Sequence, residues 1–62
     1  MKTGDKVRGD IESFLVEAVS VDGRLVTLRG ENGNRWSVYE QDIGMDENGP
    51  VVGEEVYDHP VD

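Results

Sequence analysis

The fold is decided by residues 14–39, FLVEAVSVDGRLVTLRGENGNRWSVY, in which three runs rich in β-branched and aromatic residues are separated by two short turn sequences. The turn sequences are Asp22-Gly23 and Asn32-Gly33. Both predict type I′ hairpin turns, because these residue types accept a positive backbone φ angle at the two central positions. We therefore expect three antiparallel strands joined by two tight turns.

Alternation within the three runs predicts which side chains face the core. The inward set of the second and third runs is Val26, Leu28, Trp36 and Val38. In the first run, exposure of Glu17 would turn Phe14, Val16 and Ala18 inward. Val19 and Val21 would then lie on the solvent face unless a β-bulge shifts the phase.

Short elements are predicted on either side of this meander. Residues 4–8 favour a brief first strand with Val7 inward. Residues 40–44 have the length and composition of one helical turn, with Ile43 as its apolar anchor and Gly44 at its end.

The remaining residues are expected to add a loop, a strand and a loose end. Residues 46–50 indicate a turn or loop, residues 51–58 favour a last strand that closes the sheet, and residues 59–62 are expected to fray. The chain then divides into a β-barrel body, residues 1–44, and an acidic C-terminal segment, residues 45–62.

Two segments carry a resemblance to a known group of folds. The opening GDKVR of residues 4–8 and the run WSVYEQDI of residues 36–43 are similar to the first strand and to the short helical corner of SH3-like small barrels, including the Tudor and KOW groups. The resemblance covers residues 4–43. It implies an all-β fold, a small SH3-like antiparallel barrel of about five strands with one short helical turn. For the KOW group it also implies association with RNA or the ribosome.

Charge narrows the choice of partners. Fourteen acidic and six basic side chains give a net charge of −8, which repels nucleic-acid phosphates and anionic lipid surfaces. Residues 45–62 contain six of the acidic side chains and no basic one. Acidity of this degree also suits a protein of a high-salt cytoplasm, where it serves solubility alone.

Other global features favour a cytoplasmic protein. The first residues lack the apolar core of a signal peptide, and no apolar run approaches the roughly 20 residues that span a bilayer, so we expect no membrane association. The chain has no cysteine, which excludes disulfides, thiolate metal sites and thiol nucleophiles.

The sequence offers little for catalysis. The serine and threonine hydroxyls have only His59 as a candidate base, and no spacing places it beside any of them. His59 near Glu54, Glu55 and Asp58 is better explained as a solvated charge cluster than as a metal site. We expect no enzyme activity, no metal and no cofactor.

Two sets of side chains are candidate binding residues. The partner-binding set is Trp36, Tyr39, Glu54, Glu55 and Asp58. Aromatic residues in Tudor-like barrels form a cage for a cationic side chain, although Trp36 and Phe14 are more simply explained as core residues. The second set is a basic patch of Arg24, Arg29 and Arg35, in which the last two are expected to lie close together on neighbouring strands. The alternative for these arginines is cross-strand pairing with acidic residues, namely Glu17, Glu31 or Glu40.

The sequence therefore predicts a non-catalytic protein-interaction module, an inhibitor or adaptor that docks on a basic surface of another protein through its acidic segment or a sheet edge. The alternative is a KOW- or Tudor-like barrel associated with nucleic acid or the ribosome. A homodimer formed edge to edge would also suit so small a core.

Overall fold

One curled sheet forms the frame of the protein in the computed structural model, which describes residues 1–61. Its strands are β1 (Lys6–Arg8), β2 (Ser13–Val19), β3 (Leu25–Arg29), β4 (Arg35–Tyr39), β5 (Gly44–Asp46) and β6 (Gly49–Val51). Two 3₁₀ helices complete the structure, at Glu40–Asp42 and Glu54–Asp58.

The strands lie in the order β4-β3-β2-β1-β6-β5. Neighbours are antiparallel except β1 and β6, which are parallel. The all-β class is confirmed, and the curled six-stranded half-barrel contains one strand more than predicted. The additional strand is β5, which pairs with β6 across a turn at residues 47–48. Gly44 was expected to end the helical turn and residues 46–50 to form a loop, but Gly44 begins β5 and the loop is shortened to this hairpin turn.

Alternation within the strands builds the core as the sequence indicates. The nine buried apolar side chains are Val7, Phe14, Val16, Val26, Leu28, Trp36, Val38, Val52 and Val56. Each contributes roughly 1.5 to 3 kcal/mol through removal of apolar surface from water. The inward positions predicted for β1, β3 and β4 are confirmed.

The β-bulge considered for β2 is present and explains where its alternation fails. Val16 pairs with Leu28 whereas Ala18 pairs with Thr27, so the register shifts by one residue between them. The inward position predicted for Ala18 is wrong, because the residue after the bulge faces solvent. The same shift returns Val19 to the core.

The two meander turns are present, but their predicted type I′ geometry is wrong. Only the glycines adopt positive φ, at 77° for Gly23 and 86° for Gly33. In the second turn the Gly33 N–H donates to the Gly30 oxygen at 3.1 Å and the Gly30 N–H donates to the Asn34 oxygen at 2.8 Å. This pattern is that of a three-residue loop with a glycine bulge, which needs positive φ at one residue instead of two.

A last strand was predicted for residues 51–58, but the observed strand β6 ends at Val51. Residues Glu54–Asp58 form a 3₁₀ helix instead, and that part of the strand prediction is wrong. The physical reason is spacing: Val52 and Val56 lie four residues apart and are both buried, at 4% and 1% exposure, which a strand with period two could achieve only by also burying Glu54.

The end of the described chain is held against β4. The Ser37 N–H donates to the His59 oxygen at 2.9 Å, and the Val61 N–H donates to the Arg35 oxygen at 3.0 Å. Pro60 forms an isolated bridge opposite Trp36. Fraying of residues 59–61 is therefore a wrong prediction, while residue 62 lies outside the described residues.

Candidate functional site

The aromatic residues form a cluster inside the half-barrel. The ring centroid of Trp36 lies 5.6 Å from that of Phe14 and 5.0 Å from that of Tyr57, both in edge-on contact. Trp36 is only 9% exposed, whereas Tyr39 is 54% exposed. Because residues three apart on a strand point to opposite faces, Tyr39 lies away from this cluster. Trp36 and Phe14 thus belong to the core, and the structure does not bring Trp36 and Tyr39 together.

Tyr57 is a structural residue that the sequence reasoning missed. Its hydroxyl donates to Glu12 Oε2 at 2.6 Å. This hydrogen bond, with desolvation and the carboxylate charge, raises the pKa of Tyr57 to about 12. The signal in the sequence is the spacing of Val52, Val56 and Tyr57, which follows a helical turn and not a strand.

Glu12 connects the C-terminal helix to two loops of the sheet. Its Oε1 accepts the Glu31 N–H at 2.8 Å, and the Glu31 side chain in turn accepts the Ser13 N–H at 2.9 Å. A Cβ atom at Gly30 would collide with the Glu12 carboxylate and lie 2.8 Å from the Trp36 ring. The loop before β2, the turn before β4 and the helix at Glu54–Asp58 are therefore fastened at one point.

This fastening fixes the direction in which the acidic residues point. Val56 and Tyr57 pack against the core, so the other members of the helix lie on its outer side. Those members are Glu54, Glu55 and Asp58, and all three are exposed. The structure thus brings together three of the five residues predicted to bind a partner.

The first 3₁₀ helix adds a fourth carboxylate to the same surface. Asp42, Glu55 and His59 line one small depression above Val38 and Val52. We define the acidic face as Asp42, Glu54, Glu55 and Asp58. Within residues 1–61 no ion pair involves any of these four carboxylates.

Several carboxylates elsewhere have internal partners. Asp22 accepts hydrogen bonds from the Ser20 hydroxyl at 2.6 Å and from the Arg24 N–H at 3.0 Å, and both lower its pKa, the hydroxyl most. The Asn48 N–H and the Arg8 guanidinium lower the pKa of Asp46 in the same way. The acidic face differs, because the hydrogen bond to its carboxylates within residues 1–61 is a long one, from the Gly53 N–H to Glu55 Oε1 at 3.4 Å. Its charges therefore remain available to solvent or a partner.

A sheet edge follows the acidic face along the chain, because β5 begins two residues after Asp42. Among the described residues, β5 pairs with β6 only. The Val52 N–H donates to the Arg8 oxygen of β1 at 2.8 Å. Backbone groups of alternate residues point to the same side of a strand, so those of Pro50 also point to β1. Met45 lies opposite Pro50 in β5, and its backbone groups therefore point away from β6, to the open edge. A groove of about 580 Å³ beside this edge is lined partly by Ile43, Met45 and Pro50, and Met45 is 74% exposed.

The predicted basic patch is formed in part. Arg29 and Arg35 are direct cross-strand partners, which confirms their proximity. Arg24 precedes β3 and lies at its opposite end. A row of four residues crosses β1 to β4 on the outer face of the sheet, since each is the register partner of the next. We call it the cross-strand row: Lys6, Leu15, Arg29 and Arg35.

Comparison of the chain with protein-family models, with curated proteins and with solved structures finds no match. In the described part of the chain, no three metal-ligating side chains come together. Neither 3₁₀ helix nor any other helical segment of residues 1–61 has the length and apolarity to cross a membrane.

Proposed function

We propose that this protein is a non-catalytic interaction module that docks on a basic surface of another protein through its acidic face. The observation that carries the proposal is that Asp42, Glu54, Glu55 and Asp58 lie exposed on adjoining helices without an ion pair in residues 1–61. Four like charges held near one another attract a cationic surface and raise its encounter rate in a salt-dependent manner.

The packing beneath the acidic face supports recognition over diffuse attraction. The helix Glu54–Asp58 is attached by buried Val56 and by the Tyr57–Glu12 hydrogen bond, so its carboxylates occupy defined positions before a partner arrives. Preorganised groups lose less conformational entropy on binding than groups on a mobile tail. An inhibitor or adaptor gains affinity and specificity from such rigidity.

The open edge of β5 offers a second element for the same partner. Backbone groups of Met45 point outward there, beside the apolar groove formed partly by Ile43 and Pro50. An extended segment of the partner could pair with this edge and place an apolar side chain in the groove. The acidic face supplies the long-range attraction and the edge supplies short-range contacts.

A pair of charge-matched variants tests the proposal. E54Q/D58N removes two charges from the acidic face, whereas D10N/E47Q removes two exposed charges from loops outside it. Affinity capture with quantitative mass spectrometry, followed by titration of each purified partner, compares both variants with the wild type. We expect E54Q/D58N to weaken binding of the partner by roughly 3- to 30-fold at low salt. The change in binding free energy caused by D10N/E47Q should be less than half of the change caused by E54Q/D58N. Equal losses would show that net charge alone acts and would refute a defined acidic face.

The alternative of a KOW- or Tudor-like nucleic-acid barrel has one observation in its favour, the cations of the cross-strand row. Three positive charges stand against a net charge of −8. Single-stranded nucleic acids also bind through stacking on exposed aromatic rings. The exposed ring on the side of the cross-strand row belongs to Tyr39, which lies at the opposite end of β4 from Arg35. The protein-interaction proposal is therefore the better supported one.

A further inference from the structure

The cross-strand row places cations on the side of the sheet opposite the acidic face. Its members are the chain neighbours of buried residues such as Val7, Phe14 and Leu28, so they point outward where those point inward. The helix that carries the acidic face packs on the inward side through Val56 and Tyr57. The cross-strand row and the acidic face thus lie on opposite sides of one sheet.

The first two cations of the row are free of internal ion pairs. Within residues 1–61 no ion pair involves Lys6 or Arg29. Glu31 lies beside them, but its carboxylate is engaged by the Ser13 N–H at 2.9 Å. Arg35 differs, because its Nη1 lies 3.8 Å from Glu17 Oε2.

A groove connects Lys6 and Arg29. It measures about 510 Å³, and both cations line it together with Leu15. Glu31 also belongs to the lining, and its carboxylate is the one that accepts the Ser13 N–H. Neighbouring strands lie about 4.8 Å apart, so the Cα atoms of Lys6 and Arg29 are roughly 10 Å apart with Leu15 between them. The lining therefore presents a cation, an apolar side chain and a second cation in order.

We propose that this groove binds an acidic segment of a partner protein, in which an apolar side chain lies between two carboxylates. The carboxylates pair with Lys6 and Arg29, and the apolar side chain covers Leu15. Arg35 adds a further cation at the end of the row. With the acidic face occupied by a basic partner, the module bridges two proteins of opposite surface charge.

The chemistry of the groove favours a peptide over a nucleic acid. Of the aromatic residues, Phe14 lies behind the groove with 2% exposure and offers no stacking surface. Glu31 and Glu17 border the row and repel a continuous phosphate chain. An acidic segment with an interrupting apolar residue places charge only where a cation receives it.

Two variants of equal charge test this inference. K6Q/R29Q removes the cations of the groove, and K2Q/R24Q removes two exposed cations outside it. The probe is a fluorescein-labelled peptide in which leucine separates glutamates, titrated into the full chain at low salt and followed by anisotropy. A peptide with serine in place of leucine tests the contact with Leu15, and labelled oligothymidylate tests the nucleic-acid alternative.

We expect K6Q/R29Q to weaken binding of the leucine-containing peptide on the order of tenfold and K2Q/R24Q to weaken it less than threefold. The wild type should bind the serine peptide less tightly than the leucine-containing peptide. Equal effects of the two variants, equal binding of the two peptides or tighter binding of oligothymidylate would overturn the inference. An increase in the molecular mass of the protein with concentration that only K6Q/R29Q abolishes would also overturn the inference, because a second copy of this chain would then occupy the groove. We expect E54Q/D58N to leave peptide binding intact, so this inference and the proposed function fail independently.

Discussion

Substitution of Val56 by alanine tests whether the C-terminal helix belongs to the core. Val56 is 1% exposed, and the substitution removes two buried methyl groups. At about 0.8 kcal/mol for each group, with a further cost for the cavity, unfolding free energy should fall by about 2 kcal/mol. A domain of this length has a total stability of roughly 3 to 9 kcal/mol, so the loss is a large fraction of it.

Val21→Ala is the matched control, since it makes the same chemical change at a fully exposed position in the first meander turn. We expect Val21→Ala to change stability by less than about 0.5 kcal/mol. Thermal unfolding followed by circular dichroism should show a midpoint lower by about 8 to 16 °C for Val56→Ala. Similar midpoints for the two variants would refute the packing of residues 54–58 on the sheet.

Three further predictions concern local interactions. In a Tyr39→Phe background Tyr57 is the remaining tyrosine, and absorbance titration of tyrosinate should give a midpoint of about 12. The stability that the Tyr57–Glu12 hydrogen bond contributes should be lost as pH rises from 10 toward 12. A midpoint near 10 would contradict the bond to Glu12. Asp46→Asn should destabilise the protein at neutral pH more than Glu47→Gln does. Because the pKa of Asp46 is lowered in the folded protein, denaturant titrations should show this difference vanish as pH falls below the ordinary Asp value of 3.8. A constant difference at all pH values would contradict the lowered pKa of Asp46. Gly33→Ala should cost about 1 to 2 kcal/mol in urea unfolding because φ is 86° there, with Gly33→Asn costing less, and equal costs would exclude a left-handed requirement.

Local patterns in the sequence were sufficient for the meander. Alternation in β3 and β4 placed Val26, Leu28, Trp36 and Val38 correctly, because residues on one face of a strand must all be apolar to cover a core. The turns were located by their glycines. Their type was wrong, since Asp and Asn before glycine fit both the two-residue turn and the three-residue turn with a bulge.

Tertiary contacts decided the C-terminal segment. Val51-Val52 and Val56-Tyr57 satisfy strand propensity. Val52 and Val56 both reach the core without burying Glu54 because the chain forms a tight helical turn between them. The partner of Tyr57, Glu12, is separated from it by 45 positions, and no local pattern pairs them.

The candidate surfaces were predictable in composition and not in placement. Counting charges identified the acidic residues 54, 55 and 58, whereas their common exposure follows from the burial of Val56 and Tyr57. Lys6 was missed because its proximity to Arg29 depends on the register of three strands. Register over long sequence separations is set by packing, which the single sequence does not display.

Nuclear Overhauser effects between the ring protons of Tyr57 and Trp36 test the central claim most directly, that the acidic face is held in place by an anchored C-terminal helix. The ring centroids lie 5.0 Å apart, so strong cross-peaks are expected in a uniformly labelled sample at low salt, with weaker ones between Tyr57 and Phe14 at 6.1 Å. Absence of these cross-peaks, together with random-coil shifts for residues 54–58, would show that the acidic residues lie on a mobile tail and would contradict the account.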